Sequence, residues 1–330
     1  MAIQKISIEN FTVFEKIEID FCDGVNIFIG ENGTGKTHLL KLLYTFCKTA
    51  DSRHESCYKI GFTIILSRYF KLLEQWVSLI KINDEVVYGP QEMNEYGEPM
   101  GLELDSGIDT ELYPKVDSVF IPAKEMLSMT NITRINDRYS KALDIDYTLI
   151  DIIHRAYEIE PDDTPLLARK IAPILENIIE GTVFFNTADL SFWVRKRSGK
   201  EIPFALEAEG FKKLGLLWQL LMNESITENS VLFWDEPEAN LNPKMIPIIV
   251  NILLVLSKHG VQIFLATHDN NLAEYFNLKK KDDDKVVFHS LHKTASGIAC
   301  ESQDDYSLLE HNAIVEANIK LLEDDLEGAL

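Results

Sequence analysis

The sequence is short of several things, and each shortage excludes a class of protein. Only four of its 330 residues are cysteine: Cys22, Cys47, Cys57 and Cys300. No two form a CxxC pair, which argues against a zinc site or disulfide framework and fits a reducing compartment. Positive charge is scarce: 32 Lys and Arg stand against 53 Asp and Glu, a net charge of −21. So acidic a chain is a poor general binder of polyanions, and any contact with nucleic acid must come from a local basic patch. No apolar run reaches the roughly 18 residues of a membrane span. The N-terminus lacks the basic, apolar, small-residue layout of a signal peptide. The expectation is a soluble, cytoplasmic protein with no membrane contact and no internal repeat. What is present is ordinary for a globular chain, with 46% hydrophobic and 26% charged residues. That is enough to bury a sizeable core over about two domains.

Periodicity orders the chain. Residues 3–11 and 17–21 alternate apolar and polar positions, as half-buried strands do. Residues 25–29 form an apolar strand ending at Gly30, after which Leu39, Leu40, Leu42, Leu43, Phe46 and Cys47 recur at helical spacing. Further strands are predicted over 60–66, 77–82, 86–88 and 116–121, with a helix over 70–75 and an irregular stretch over 89–115. From about 122 to 181 the pattern is helical, broken at 161–165. Strands over 190–197 and 201–206 make a hairpin turned at Ser198-Gly199. There follow a helix over 207–222 and apolar strands over 231–234 and 261–266 flanking a helix that Pro243 opens. Strands over 286–291 and 298–300 and an amphipathic helix over 312–322 come last. The expected fold class is α/β, a mixed sheet with helices and an inserted helical lobe. Residues 1–121 supply the N-terminal part of the core, 122–206 a mostly helical lobe ending in a hairpin, and 207–330 the C-terminal part.

Two constellations carry chemistry. Gly30-Glu31-Asn32-Gly33-Thr34-Gly35-Lys36-Thr37 fits GxxxxGK[ST] between a strand and a helix. Such a loop curls so that backbone N–H groups, with the helix N-terminus behind them, converge on phosphate oxygens. Lys36 would reach the β- and γ-phosphates of ATP, and the Thr37 hydroxyl would ligate Mg²⁺. The second is the apolar strand Val231-Leu232-Phe233-Trp234 ending in Asp235-Glu236-Pro237. Asp235 would hold the metal, and Glu236 would polarise an attacking water as general base. His268, just past the next apolar strand, would meet the γ-phosphate or that water.

With these residues in order, the chain resembles the ABC-type ATPase head, and within it the SMC, RecF and OLD-nuclease branch. Residues 8–14 resemble that branch's opening motif. Gly30–Thr37 matches Walker A, Asp235-Glu236 matches Walker B with its glutamate, 238–243 resembles the D-loop, and His268 matches the switch histidine. The resemblance implies two subunits sandwiching two nucleotides, a homodimer or higher homo-oligomer. Gly210, in the stretch 207–215, would offer its helix start to the partner's γ-phosphate. The signature serine is Ala208 here, and the D-loop aspartate is Asn242. Pro122-Ala123-Lys124-Glu125 stands where a Q-loop glutamine belongs. Either Lys124 or Glu125 does its work, or the stretch starts a capped helix. No heptads run between Lys36 and Gly210, so long coiled-coil arms are excluded, and nothing after His268 resembles a nuclease cluster. The relatives implied are compact ATPases that control a separate effector, often a nuclease or toxin, in phage defence. A DNA-repair head and a nucleotide-gated scaffold with negligible turnover are the alternatives. Arg195, Lys196 and Arg197 are the candidate contacts to nucleic acid, against a plain solvated turn.

Overall fold

The computed structural model describes residues 3–51, 79–88, 117–130, 146–158 and 160–328. Its strands are β1 (Lys5–Phe11), β2 (Phe14–Asp20), β3 (Val25–Gly30), β4 (Leu79–Ile82), β5 (Glu85–Tyr88), β6 (Ser118–Ile121), β7 (Gly181–Asn186), β8 (Ser191–Lys196), β9 (Glu201–Pro203), β10 (Val231–Asp235), β11 (Gln262–Ala266), β12 (Val286–Thr294) and β13 (Gly297–Gln303). Its helices are α1 (Lys36–Asp51), α2 (Tyr147–Ala156), α3 (Leu166–Ile179), α4 (Glu209–Met222), α5 (Ile246–Lys258), α6 (Asn270–Lys279) and α7 (Ala313–Gly328).

Every residue of β3, β6, β10 and β11 is buried, as in a parallel sheet covered on both faces. These strands lie in the order β13-β12-β3-β11-β10-β6, all pairs parallel except β12 with β13. Alternate residues serve two cores. Ile27, Leu232, Trp234, Ile263 and Leu265 join one cluster. Phe28, Phe233, Phe264 and Ala266 join the other with Leu39, Leu40 and Leu43 of α1. The four-stranded antiparallel sheet β2-β1-β4-β5 also contributes Ile6, Ile8 and Phe14 to this second core. Apolar burial here stabilises by about 25 cal/mol per Å².

The register then places the chemistry. Asp235 pairs with Ala266, and Ala266 pairs with Phe28. The C-terminal ends of β3, β11 and β10 therefore align along one edge of the sheet. In open α/β sheets that edge is where ligands bind.

Over 122–206 the structure adds one strand to the expected hairpin. Beside α2 and α3, the described part holds a three-stranded antiparallel sheet, β7-β8-β9. The helical pattern is expected to run to about 181, and no element is expected over 182–189, where β7 lies. Glu180 instead adopts a left-handed conformation (φ 55°) that stops α3, and Thr182-Val183-Phe184-Phe185, rich in β-formers, runs on as a strand. The second hairpin strand is also shorter than expected, because Phe204–Leu206 is a 3-10 turn. Helix α4 starts at Glu209 rather than 207, and α7 runs on to Gly328. The expected strand over 60–66, the helix over 70–75 and the stretch 89–115 lie outside the described residues.

One core group makes a pH prediction. His289 on β12 is fully buried, with Nδ1 2.7 Å from Ser302 Oγ and Nε2 3.3 Å from Asn26 Oδ1. Burial pushes its pKa down to about 3. The unfolded chain binds a proton near pH 6.5 that the folded chain refuses, so stability falls as pH drops below that value. Between pH 7.5 and 5.5 this residue costs about 1.4 kcal/mol. Denaturation midpoints of His289→Gln should fall less over that range by about this amount. Parallel losses in both proteins would refute it.

Candidate functional site

The residues expected to act on phosphate meet at the aligned strand ends. After β3 the chain turns through Gly30 (φ 143°), Gly33 (φ 80°) and Gly35 (φ 91°) before α1 begins at Lys36. Two of these positions have no room for a side chain. A Cβ on Gly30 would lie 2.2 Å from Leu291 O, and one on Gly35 2.4 Å from the Phe14 ring. The loop is thus clamped between β12 and the β1–β2 turn. Gly35→Ala combines that clash with a strained φ worth about 1–3 kcal/mol. It should weaken ATP binding at least about tenfold and lower the melting temperature. Unchanged values in titration calorimetry and thermal unfolding would show the loop to be pliable.

Lys36 Nζ donates to the carbonyls of Gly30 (2.7 Å) and Glu31 (2.8 Å). Burial pushes its pKa down to about 8, against the pull of Asp235 and Glu236. Thr37 Oγ1 donates to Asp235 Oδ2 at 2.9 Å, joining the two motifs across 198 residues of sequence. Burial holds the Asp235 carboxyl above its ordinary pKa, opposed by the Thr37 hydrogen bond. Thr37 lines the cleft, and the Asp235 carboxylate is buried behind it, outside the lining; a hydroxyl and a carboxylate so paired fit Mg²⁺, which takes one or two protein oxygens and completes its shell with phosphate and water. No group of three or more His, Cys, Asp or Glu among the described residues could hold a metal. Two protein oxygens, Thr37 Oγ1 and Asp235 Oδ2, suit a cation that would share its ligands with a nucleotide.

Glu236 follows with φ 47°, a left-handed conformation unusual for a glutamate. Its N–H donates to Ala266 O at 2.8 Å, and its carbonyl accepts from Lys213 Nζ at 2.6 Å. The carboxylate lies 3.0 Å from His268 Nε2. The cleft of about 310 Å³ is lined by Val13, Asn32, Gly33, Gly35, Lys36, Thr37, His38, Glu236 and His268. Thr34 is buried and turns inward, its hydroxyl on Glu31 O at 2.9 Å.

Other expected residues lie elsewhere. Gly210 is not in the lining of the cleft. It packs on the D-loop stretch, where an added Cβ would lie 3.0 Å from Leu241 Cδ2 and 3.1 Å from Asn240 O. Asn242 accepts from Lys244 N, capping the 3-10 turn Pro243–Met245. Glu125 accepts from Ser128 N at 3.1 Å ahead of the turn Leu127–Met129, in line with a capping role, and neither it nor Lys124 lines the cleft. The basic stretch has partners within the chain, with Lys196 half-buried and Arg195 and Arg197 exposed. Arg195 pairs with Glu201 and Lys196 with the buried carboxylate of Glu207, while Arg197 donates to Asn177.

Sequence reasoning missed several neighbours of the site. Lys213, with 2% exposure, looked like any surface lysine in a helical pattern. Glu238 accepts from Thr267 Oγ1 (2.7 Å) and His268 N (3.3 Å), bracing the segment that carries His268. Burial raises its pKa. Val13, at the β1–β2 turn, faces the cleft. Each depends on long-range contacts that no local pattern announces.

Comparison with known proteins agrees with this geometry. Residues 93–274, more than half of the chain, match the family described as "AAA domain, putative AbiEii toxin, Type IV TA system". Residues 1–163 match an AAA ATPase domain. A DNA replication and repair protein RecF from Cytophaga hutchinsonii is 47% identical over 49 residues, 15% of this chain and 13% of the relative. Among solved structures, an SmcHead bound to the C-winged helix domain of ScpA superposes with a TM-score of 0.51 at 13% identity, over 92% of this chain and 98% of that one. An SMC head domain from Thermotoga maritima matches with a TM-score of 0.45 at 16% identity, over 92% and 99%. The chain belongs to the family described as "AAA domain, putative AbiEii toxin, Type IV TA system", and its fold is that of an SMC-like head.

Proposed function

We propose that this protein is an ATP-driven switch that closes as a homodimer and controls a separate effector protein, of nuclease or toxin type, in bacterial anti-phage defence. The observation that carries the ATPase part is the convergence of Thr37 on Asp235 and of His268 on Glu236 at one cleft. The backbone N–H groups of Gly30–Thr37 and the Lys36 ammonium hold the phosphates, with Asn32, Gly33, Thr34 and Gly35 shaping the loop. Thr37 and Asp235 would hold Mg²⁺, which would neutralise phosphate charge when bound. Glu236 takes a proton from the attacking water, and His268 orients that carboxylate.

The dimer part rests on α4. Its N-cap, Ala208, makes no side-chain capping bond, and the residue is exposed. The Phe211 and Lys212 N–H groups donate to Ala208 O, and the positive N-terminal end of the helix at Gly210 is what would meet an anion presented by another subunit. The effector part rests on the toxin-system description of the family and on the ScpA domain bound to the similar SmcHead. A RecF-like head acting on DNA is less favoured: the curated likeness spans little of the chain, and the net charge of −21 opposes a polyanion.

The test is the solution mass of Glu236→Gln with and without Mg-ATP. A shift from monomer to dimer with nucleotide is expected. A mass unmoved by nucleotide would refute ATP-driven closure. Tight ATP binding with no phosphate release by the wild-type protein would replace the switch with a nucleotide-gated scaffold.

A further inference from the structure

Helix α7 is unlike the other described helices. All residues from Glu316 to Gly328 are exposed, and the helix buries no residue. Yet it carries large apolar side chains: Ile319 is 51% exposed, Leu322 64% and Leu326 69%. Val315, half-buried against the core at the base of the helix, begins the same line. The four residues are spaced by 4, 3 and 4, the alternation of a coiled-coil seam. One helix this short is marginal in water without a packed face, and a contiguous exposed apolar stripe marks an interaction site.

The charges beside the seam select the partner. With Ile319 and Leu326 at a positions and Val315 and Leu322 at d, the flanking e and g positions are Glu316, Asn318, Glu323 and Asp325. Three of the four are acidic and none is basic. Lys320 points to the opposite side, where it pairs with Asp324 at 3.7 Å. In a pair of two α7 helices, antiparallel packing sets e against e and g against g, and parallel packing sets e against g. Both place carboxylate beside carboxylate, which opposes self-pairing. The whole-chain charge of −21 adds to that repulsion.

We infer that α7 docks an amphipathic helix of a different protein, with Leu or Ile at its a and d positions and Lys or Arg at e and g. This site lies outside the nucleotide cleft and does not depend on hydrolysis or dimer closure.

The experiment uses the full chain and two labelled synthetic peptides of three heptads each. Both carry Leu and Ile at a and d; one has Lys at e and g, the other Glu. Fluorescence anisotropy should show the Lys peptide binding and the Glu peptide at least about tenfold weaker, with the Lys-peptide affinity falling as salt rises. Leu322→Asp should weaken the Lys peptide at least about tenfold. Because Leu322 is exposed, that variant should keep the wild-type melting temperature and ATP affinity, which separates lost docking from lost folding. Equal binding of both peptides, no binding, or full binding to Leu322→Asp would overturn the inference. So would self-association of the wild-type chain that Leu322→Asp abolishes, since the seam would then belong to a second copy. Failure of the ATP tests above would leave these readings unchanged.

Discussion

Glu236→Gln should lower the rate of ATP hydrolysis by about a hundred- to ten-thousandfold, the range a positioned general base contributes. ATP affinity should stay within about threefold of wild type. The amide has the carboxylate's shape and can still meet His268, so the cleft keeps its walls. What it loses is the ability to take a proton. The backbone argues for a specific role at this residue. A left-handed glutamate costs about 1–3 kcal/mol and persists only where its surroundings hold it. Here the hold is visible: Ala266 O accepts the Glu236 N–H, and the buried Lys213 ammonium grips its carbonyl. The carboxylate is thereby aimed at the cleft rather than back along the strand. Steady-state phosphate release and equilibrium nucleotide binding, measured on one preparation, separate the two effects. Hydrolysis at the wild-type rate would remove Glu236 from the chemistry. Equal losses in binding and turnover would mean that it shapes the site instead.

Lys36→Ala should weaken ATP binding by about a hundredfold or more, with little change in melting temperature. A charge-assisted hydrogen bond contributes about 1.5–3 kcal/mol, and the ammonium can serve more than one phosphate oxygen. The folded chain has less reason to miss it. Burial makes the charged form of Lys36 unfavourable, and its present partners are two loop carbonyls beside a solvent-open cleft. Its position is therefore better suited to an anion than to stability. Titration calorimetry with Mg-ATP, alongside thermal unfolding, makes the comparison. Unchanged affinity would sink the phosphate-loop assignment, and loss of folding together with affinity would reduce Lys36 to a structural residue.

The candidate site was legible to different depths at different residues. Gly30–Thr37 announces itself because the chemistry is local. The glycines, the ammonium and the hydroxyl all come from one strand–loop–helix segment. Asp235 and Glu236 were legible as polar residues ending an apolar strand, and His268 as the next such case. Lys213 and Glu238 were not, since their partners lie 23 and 29 residues away across helix and loop. The basic stretch shows the converse. Arg195-Lys196-Arg197 reads as a patch, but folding turns Lys196 in to Glu207 and sets Glu201 and Asn177 beside the exposed Arg195 and Arg197. Local charge cannot reveal neighbours brought in by folding.

By itself the sequence determined the α/β class, the order of strand, loop and helix around Gly30–Thr37, and the residues proposed to meet phosphate and metal. Those follow from short-range periodicity and from functional groups within a few residues of each other. Only the tertiary structure decided the rest. Parallel pairing in the order β3-β11-β10, with Phe28, Ala266 and Asp235 in register, brings Thr37 to Asp235 and His268 to Glu236. The same packing joins Ile152, Leu167, Val183 and Phe192 of the inserted segment to Leu232 and Trp234 of the central sheet in one core. Strand register and shared burial are long-range choices, made by how two-sided apolar strands stack, and no local pattern encodes them.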